Sequence, residues 1–236
     1  MKRVAVFAAI TLIGAHAQAQ SADDQFAVPD ACTLDLTVQM HSCQVANLYH
    51  CAGDAEGDRW ISYADGDGEY FLSLIDSETR WLQSISLDNG EIAQLDEAGS
   101  KDNASFSTLL DTGEDDYDFV TYNNFGETRR QIGRDWLTGD KVTIDGKVLE
   151  RADFKLETQD RAGNILARRS GTQYIDRDLR VFFSGRETYE SPQGDSVQTY
   201  DAPVSFAHEG EDGFGAAKPI YDCDMTMTAL RPEDLR

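Results

Sequence analysis

The four cysteines constrain the fold of this chain more than any other feature of its sequence. Cys32, Cys43 and Cys51 lie within one short stretch, and Cys223 lies near the opposite end. Residues 1 to 19, described below, indicate that the chain is exported, and an even number of cysteines in an exported chain indicates disulfide bonds. A complete pairing must then join Cys223 to one of the other three. The sequence therefore predicts that the last part of the fold returns to the first.

Residues 32 to 40 alternate between apolar and polar side chains, which predicts a half-buried strand. The apolar parity contains Cys32, Leu34, Leu36, Val38 and Met40. A two-residue turn at His41-Ser42 would place Cys32 opposite Cys51 and leave Cys43 for Cys223. The competing pairing joins Cys43 to Cys51 and Cys32 to Cys223, and the sequence leaves both open.

Residues 1 to 19 have the composition of a secretory signal peptide. A basic start precedes an apolar run, and small residues follow at Ala17 and Ala19. The run is too short to be a typical membrane span, so we expect cleavage, a periplasmic or secreted location, and a mature chain without a span. Residues 20 to 236 contain no linker and are predicted to form a single β-rich domain.

Short extended runs separated by turn-forming residues make up most of the remaining chain. The predicted strands are Arg59 to Tyr63, Tyr70 to Ile75, Trp81 to Leu87, Ile92 to Leu95, Tyr117 to Tyr122, Val142 to Ile144, Lys147 to Leu149, Phe154 to Thr158, Ile165 to Arg169 and Leu179 to Tyr189. Residues 96 to 105 are predicted to be a loop, or a short helix running into Phe106 to Leu110. The Asp145-Gly146 pair is a hairpin signal that places Val142 opposite Leu149.

Turns recur about every ten residues, and no long amphipathic helix is visible in the sequence. This spacing predicts an all-β fold in which an antiparallel meander forms a single curved sheet or a barrel-like domain, either a half-barrel or a closed barrel.

The last predicted strand contains two local signals. Phe182 and Phe183 are adjacent, so they should point to opposite faces, and one of them needs cover from a helix, a second sheet or a ligand. Ser184 precedes Gly185, a combination that predicts a bulge or a tight bend rather than a catalytic serine.

The net charge of −22 argues against nucleic acid and anionic lipid surfaces as partners. The imbalance is uneven, because residues 127 to 186 hold 13 basic and 10 acidic side chains. These residues either alternate charged side chains toward water, or they form a less repulsive face that receives an acidic ligand or partner.

Sequence motifs for catalysis or metal binding are absent. His41, His50 and His208 lie outside any zinc-protease motif, and the chain has no nucleophile elbow, phosphate-binding loop or C-x-x-C pair. The acidic turns lack the calcium-loop pattern, and the cysteines and histidines lack zinc-site spacing. We therefore expect no cofactor and no metal, and we do not predict an enzyme, although a site assembled in space stays open.

Aromatic side chains within the predicted strands are the candidate ligand contacts: Trp60, Trp81, Trp136, Phe182 and Phe183. They lead to the hypothesis of a non-enzymatic binding module that holds an apolar small molecule or a lipid in its curved sheet. The alternative is a structural or protein-interaction protein of the envelope with a protein partner, and a hydrolase is less favoured. An open apolar cavity would favour the first hypothesis, and a filled core would favour the second.

Overall fold

The computed structural model describes residues 24–224, so the predicted signal peptide lies outside the described residues. The strands are β1 Cys32–Met40, β2 Gln44–Cys51, β3 Arg59–Asp65, β4 Gly68–Ile75, β5 Trp81–Ser86, β6 Glu91–Leu95, β7 Glu114–Asn123, β8 Thr128–Ile144, β9 Lys147–Asp160, β10 Ile165–Asp176, β11 Val181–Glu190, β12 Ser196–Tyr200 and β13 Pro203–Ala207. A short helix, α1, covers Phe106–Thr112.

All thirteen strands belong to one antiparallel sheet, which confirms the predicted all-β fold. From β1 to β12 each strand pairs with the next one in sequence, as in a meander. The last strand, β13, breaks this order by pairing with β1. The sheet is not closed into a barrel, because β12 and β13 are its two edges.

The disulfides are Cys32–Cys51 and Cys43–Cys223. This is the first of the two pairings that the sequence left open. The second bond spans 180 residues, so it ties the end of the described chain to the β1–β2 hairpin, as predicted. Closing so long a loop restricts the unfolded chain more than the 19-residue separation of the first bond does.

The predicted two-residue turn at His41-Ser42 is wrong by one residue. Met40 pairs with Gln44, so the loop has three residues, and Ser42 and Cys43 both take positive φ angles of 60° and 56°. A β-bulge between Leu34 and Leu36 then shifts the register back. The two irregularities compensate, which is why the cysteine pairing expected from the simpler turn still occurs.

The hairpin at Asp145-Gly146 has the predicted form. Both residues have positive φ angles, 48° and 76°, and Val142 lies opposite Leu149. The strands on either side are much longer than the sequence pattern indicated, because β8 and β9 contain 17 and 14 residues. The bounds of strands β12 and β13 were not predicted, although a C-terminal strand was expected beside the N-terminal one, where β13 lies.

The largest hydrophobic cluster lies between β1 to β4 on one side and β8 to β11 with β13 on the other. Its buried members are Leu36, Val38, Met40, Ala46, Leu48, Ile61, Ile75, Leu149, Val181 and Phe183. A second cluster lies under helix α1 and joins Phe106 and Leu109 to Ala152 and Ile175. The interior between the strands is therefore filled by side chains.

Phe182 and Phe183 point to opposite faces of β11, as predicted. Phe183 lies in the largest cluster, with its ring 5.4 Å from that of Phe206 on β13. Phe182 packs edge-on against Phe106 of helix α1 at 5.3 Å. Helix α1 is thus the cover that the sequence predicted for one of these rings, and the covered ring is Phe182. The helix begins at the cap Ser105, whose hydroxyl accepts a hydrogen bond from the Thr108 amide.

Candidate functional site

Beyond the largest cluster, strands β8 to β12 continue with one face open to solvent. Two cross-strand rows of side chains make up this surface, which we call the β8–β12 face. The first row is Trp136, Asp153, Thr172, Arg186 and Tyr200, and the second row is Arg134, Lys155, Ser170, Thr188 and Gln198. Because neighbouring strands present their paired residues side by side, each row crosses all five strands.

A β-bulge in β11 determines which side chains reach this face. Phe183 pairs with Tyr174, but Glu187 pairs with Gly171, so β11 contains one extra residue between these pairs. The extra residue switches the alternation, and Arg186 therefore points to the same face as Phe183 although the two have opposite parity. This irregularity confirms the bulge predicted at Ser184-Gly185.

Gly171 is required at the bulge because the two strands approach each other closely there. A Cβ atom at residue 171 would lie 1.9 Å from the carbonyl oxygen of Arg186. No side chain fits in that space without moving the strand that carries Arg186. The glycine therefore fixes the position of one basic residue of the β8–β12 face.

Two of the four charged side chains at this face, Arg134 and Asp153, are neutralised by neighbours. Arg134 forms ion pairs with Asp116 and Glu114 of β7, and its hydrogen bond lowers the pKa of Asp116. Asp153 accepts a hydrogen bond of 3.1 Å from Arg151. The Asp116 carboxylate therefore stays ionised at neutral pH.

Two cations of the face have no such neighbour. Within residues 24–224, Lys155 and Arg186 form no ion pair, and both side chains are exposed. Each instead lies over an aromatic ring: the Lys155 ammonium is 6.0 Å from the Trp136 ring centre, and the Arg186 guanidinium is 5.2 Å from that of Tyr200. The face thus ends in two pairs, each made of a ring and a positive charge.

Trp136 also borders a shallow groove of about 640 Å³ beside the end of helix α1. The groove is lined by Thr112, Gly113, Glu114, Arg134, Trp136, Leu137 and Lys155. In the described part of the chain, the indole N–H of Trp136 donates no hydrogen bond, so it can bind an acceptor from outside. A ligand here would meet a flat ring, an N–H donor and an ammonium group.

The other predicted aromatics lie elsewhere. Trp60 stacks on Tyr49 and donates a hydrogen bond of 3.1 Å to Asp54. Trp81 is 44% exposed and packs edge-on against a ring of β7, while Phe182 and Phe183 belong to the two clusters described above. The structure does not bring the five aromatics together, and a binding role for them stays a prediction.

Two histidines form pairs with carboxylates. His41 Nδ1 lies 2.6 Å from Asp222 Oδ2, and His50 Nδ1 lies 2.9 Å from Asp35 Oδ2. Across residues 24–224 no serine hydroxyl is hydrogen-bonded to either imidazole ring, so neither pair extends to a Ser-His-Asp arrangement. The third histidine, His208, is exposed.

A pair of buried carboxylates is a feature that the sequence analysis missed. Asp115 and Asp135 lie opposite each other on β7 and β8 and are only 6% and 8% exposed. Burial, together with repulsion from neighbouring carboxylates, raises the pKa of Asp115 to about 6 and the pKa of Asp135 to about 7. Asp115 accepts the amide N–H of Ser105, the cap of α1, and Asp135 accepts a hydrogen bond from Gln173.

Lys155 and Arg186 were also missed as candidates, although both fall within the weakly basic region 127 to 186. Their common face depends on the sheet register and on the β11 bulge, neither of which is visible in the charge pattern alone. In the described residues, metal-ligating side chains do not gather in groups of three or more.

No helix between residues 24 and 224 is long and apolar enough to cross a membrane. Comparison with known proteins finds no match to a family model, to a curated protein or to a solved structure.

Proposed function

We propose that this protein is an exported, non-enzymatic binding module that holds an acidic ligand on its β8–β12 face. The observation that carries the proposal is the pair of exposed cations, Lys155 and Arg186, that form no ion pair within residues 24–224. Acidic residues outnumber basic ones by 43 to 21 in this chain, so a cation has many potential partners. Two that remain without one on the same face create a local attraction for anions in an otherwise repulsive surface.

The filled interior counts against an apolar ligand held inside the curved sheet and favours the protein-partner alternative, so the ligand of a binding module has to lie on the surface. Leu48, Leu149 and Phe183, at 0 to 5% exposure, occupy the space between the two halves of the fold. The ligand is therefore amphipathic: its flat, apolar part packs on Trp136 or Tyr200, and its acidic groups meet Lys155 and Arg186.

The periplasm is the proposed location. Two disulfides are typical of an oxidising compartment outside the cytoplasm, and the predicted signal peptide provides the export route.

Removal of the two cations tests the proposal. The test variant is Lys155→Gln/Arg186→Gln. The matched control, Lys101→Gln/Arg161→Gln, loses the same charge at two exposed residues that lie outside the face. Binding of two probes, polygalacturonate and poly-glutamate, is measured by calorimetry at low and high salt. We expect salt-sensitive binding of at least one probe by the wild type and the control, and its loss in the double variant. Equal binding by both variants, or no binding by the wild type, would contradict the proposal.

A second candidate function, binding of a protein partner, is favoured by the edge strand β12. All five of its residues are exposed, and none is charged. The Asp201 amide donates to the Gly185 carbonyl, so by alternation the backbone groups of Ser196 and Gln198 point away from β11. The Ser42 hydroxyl covers one end of this edge by donating to the Tyr200 carbonyl at 2.9 Å. An uncharged edge that is open at Ser196 and Gln198 is the kind of edge to which another extended segment can add.

The other edge of the sheet is protected, which makes the contrast informative. On β13 the Phe206 amide donates a hydrogen bond of 2.9 Å to the Asp145 carboxylate at the tip of the β8–β9 hairpin. For β12, Gln198→Pro removes an outward N–H without removing a hydrogen bond to β11. If the edge binds a partner, a stoichiometric partner captured from envelope extracts is lost with Gln198→Pro and retained with Lys155→Gln/Arg186→Gln. Retention with both variants would argue against the edge.

A further inference from the structure

We infer that the ligand of the β8–β12 face is a linear acidic oligosaccharide that lies across the strands from Trp136 to Tyr200. This inference rests on the proposed function and adds to it the chemical class, the length and the direction of the ligand. Three features of the face carry it: the separation of its two ring-and-cation pairs, the hydroxyl and amide side chains between them, and the exposed carboxylate of Glu190 that borders it.

The two ring-and-cation pairs are far apart. Trp136 is on β8 and Tyr200 is on β12, and neighbouring strands are about 4.8 Å apart, so the two rings are separated by about 19 Å. A small molecule with one ring and one acidic group reaches only one of the pairs. A chain of several rings with repeated carboxylates reaches both, and its apolar ring faces can pack on the aromatic side chains while its carboxylates meet Lys155 and Arg186.

The side chains between the two pairs suit hydroxyl groups. Ser170, Thr172 and Thr188 carry hydroxyls, and Gln198 carries an amide, so each can both donate and accept hydrogen bonds. These four have no charge to select an ion and little apolar surface to hold a fatty chain. The one charged residue between the pairs, Asp153, is paired with Arg151 at 3.1 Å. A sugar chain presents hydroxyls along its whole length and is therefore the better match to this part of the face.

The border of the face limits how the ligand can run. The next cross-strand row contains Glu157, Arg168 and Glu190. Arg168 pairs with Glu157 at 3.0 Å, whereas Glu190 is exposed and repels an acidic ligand that would extend along the strands. The favourable path for a polyanion is therefore across the strands, along the two rows that contain Lys155 and Arg186.

Two other classes of polyanion fit less well. A nucleic acid carries one phosphate for each nucleotide and would meet only two available cations on a chain of net charge −22. An acidic peptide makes its strongest contacts through its backbone at a strand edge, whereas this face presents only side chains. The acidic peptide is therefore used as a competing outcome in the test.

The experiment compares three probes with the intact disulfide-bonded protein: tetragalacturonate, maltotetraose as a neutral tetrasaccharide, and tetraglutamate. We expect tetragalacturonate to bind most tightly and to shift the amide resonances of both rows in heteronuclear NMR spectra of the wild type. Trp136→Ala and Tyr200→Ala should each weaken its binding by roughly fivefold, the loss expected for one aromatic contact. Trp81→Ala, which removes an exposed tryptophan outside the face, should leave the affinity unchanged.

Each result has a defined meaning. Tetraglutamate binding as tightly as tetragalacturonate, with no effect of Trp136→Ala, shows attraction by charge alone: the proposed function stands and the oligosaccharide inference fails. Sensitivity to Trp136→Ala without sensitivity to Tyr200→Ala overturns the length and direction. Maltotetraose binding as well as tetragalacturonate overturns the acidic character. Absence of binding by every probe contradicts the inference and leaves the proposed function to its own polymer test. The wild-type NMR shifts decide the location even if a variant does not fold.

Discussion

The Asp115–Asp135 pair makes the stability of this protein sensitive to pH, and Asp135→Asn should remove much of that sensitivity. Both carboxyls are buried at facing positions of β7 and β8. Asparagine has nearly the same shape, and its amide oxygen can still accept the hydrogen bond of 3.0 Å from Gln173. The substitution therefore removes a buried negative charge and leaves the packing nearly unchanged.

The sign follows from the direction of the pKa shift. Burial, followed by repulsion from Asp115, raises the pKa of Asp135 to about 7 from an ordinary value of 3.8. A carboxyl whose pKa is raised in the folded state makes its full contribution to stability below about pH 4, where it is protonated in both the folded and the unfolded protein. That contribution is lost as the pH rises through the folded-state pKa near 7.

The magnitude follows from the same shift. A difference of about three pKa units corresponds to roughly 4 kcal/mol of unfolding free energy between pH 4 and pH 8. Asp115 shares the cost of ionisation with Asp135, so we expect Asp135→Asn to be more stable than the wild type by about 2 to 4 kcal/mol at pH 8. At pH 4.5 the difference should shrink to about 1 kcal/mol or less.

Guanidinium unfolding of both proteins at pH 4.5, 6, 7 and 8, with the disulfides intact, measures this difference. Asp116→Asn is the control, because Asp116 is exposed and Arg134 lowers its pKa. Above pH 4 this variant should be slightly less stable than the wild type, which is the opposite of the effect expected for Asp135→Asn. The reasoning is refuted if Asp135→Asn is no more stable than the wild type at pH 8, or if its advantage is the same at all four values.

Three further substitutions test the fold. Gly171→Ala should destabilise the protein by about 1 to 3 kcal/mol or more in chemical denaturation, because the added methyl group would collide with the Arg186 carbonyl. Gly53→Ala is the control and should be nearly neutral, because no atom lies within 4 Å of its added methyl group. Cys223→Ser opens the loop that spans 180 residues and should cost about 2 to 5 kcal/mol in the same assay; an unchanged midpoint would contradict the role of this bond. Phe106→Ala should cost about 3 to 5 kcal/mol and increase hydrogen exchange in α1 before β1 and β2 are affected; equal exchange in all three would contradict the separate packing of α1.

The features that the sequence predicted well depend on local alternation or on a single turn. The strand Cys32–Met40 was predicted with its exact bounds because one parity faces the largest cluster. The Asp145-Gly146 turn was recognisable because only a few residue types readily adopt two consecutive positive φ angles. The cysteine pairing was among the predicted alternatives because Cys223 has no other region of the chain to join.

The features that were missed lack such a local signal. All residues of β12 are exposed, so no face of it differs in polarity from the other, and its extended form comes from pairing with β11. Residues 128 to 141 of β8 mix charged, small and large apolar side chains, and the partners of this segment lie on β7 and β9. The three-residue loop after Met40 was missed because a distant bond, Cys43–Cys223, draws Cys43 out of the hairpin.

The candidate site could be predicted only as a region. The weakly basic composition of residues 127 to 186 indicated a less repulsive surface, but it could not distinguish Arg134 from Lys155. The two side chains are neighbours on adjacent strands, and what separates them is Asp116, which pairs with Arg134 across β7 and β8. Which cation remains available is therefore decided by strand register, a tertiary property.

The construction of β11 explains how a sheet with a filled core can still present an ordered binding face. One side of this strand packs Phe183 into the largest cluster and, after the bulge, presents Arg186 to solvent. The opposite side of the neighbouring strands is covered by α1 and by buried residues such as Leu156. Because the backbone of all five strands is held in the hydrogen-bonded ladder, the two ring-and-cation pairs keep their separation without a ligand. Binding then requires little ordering of the protein, and affinity should depend mainly on how well the spacing of rings and acidic groups in the ligand matches the face.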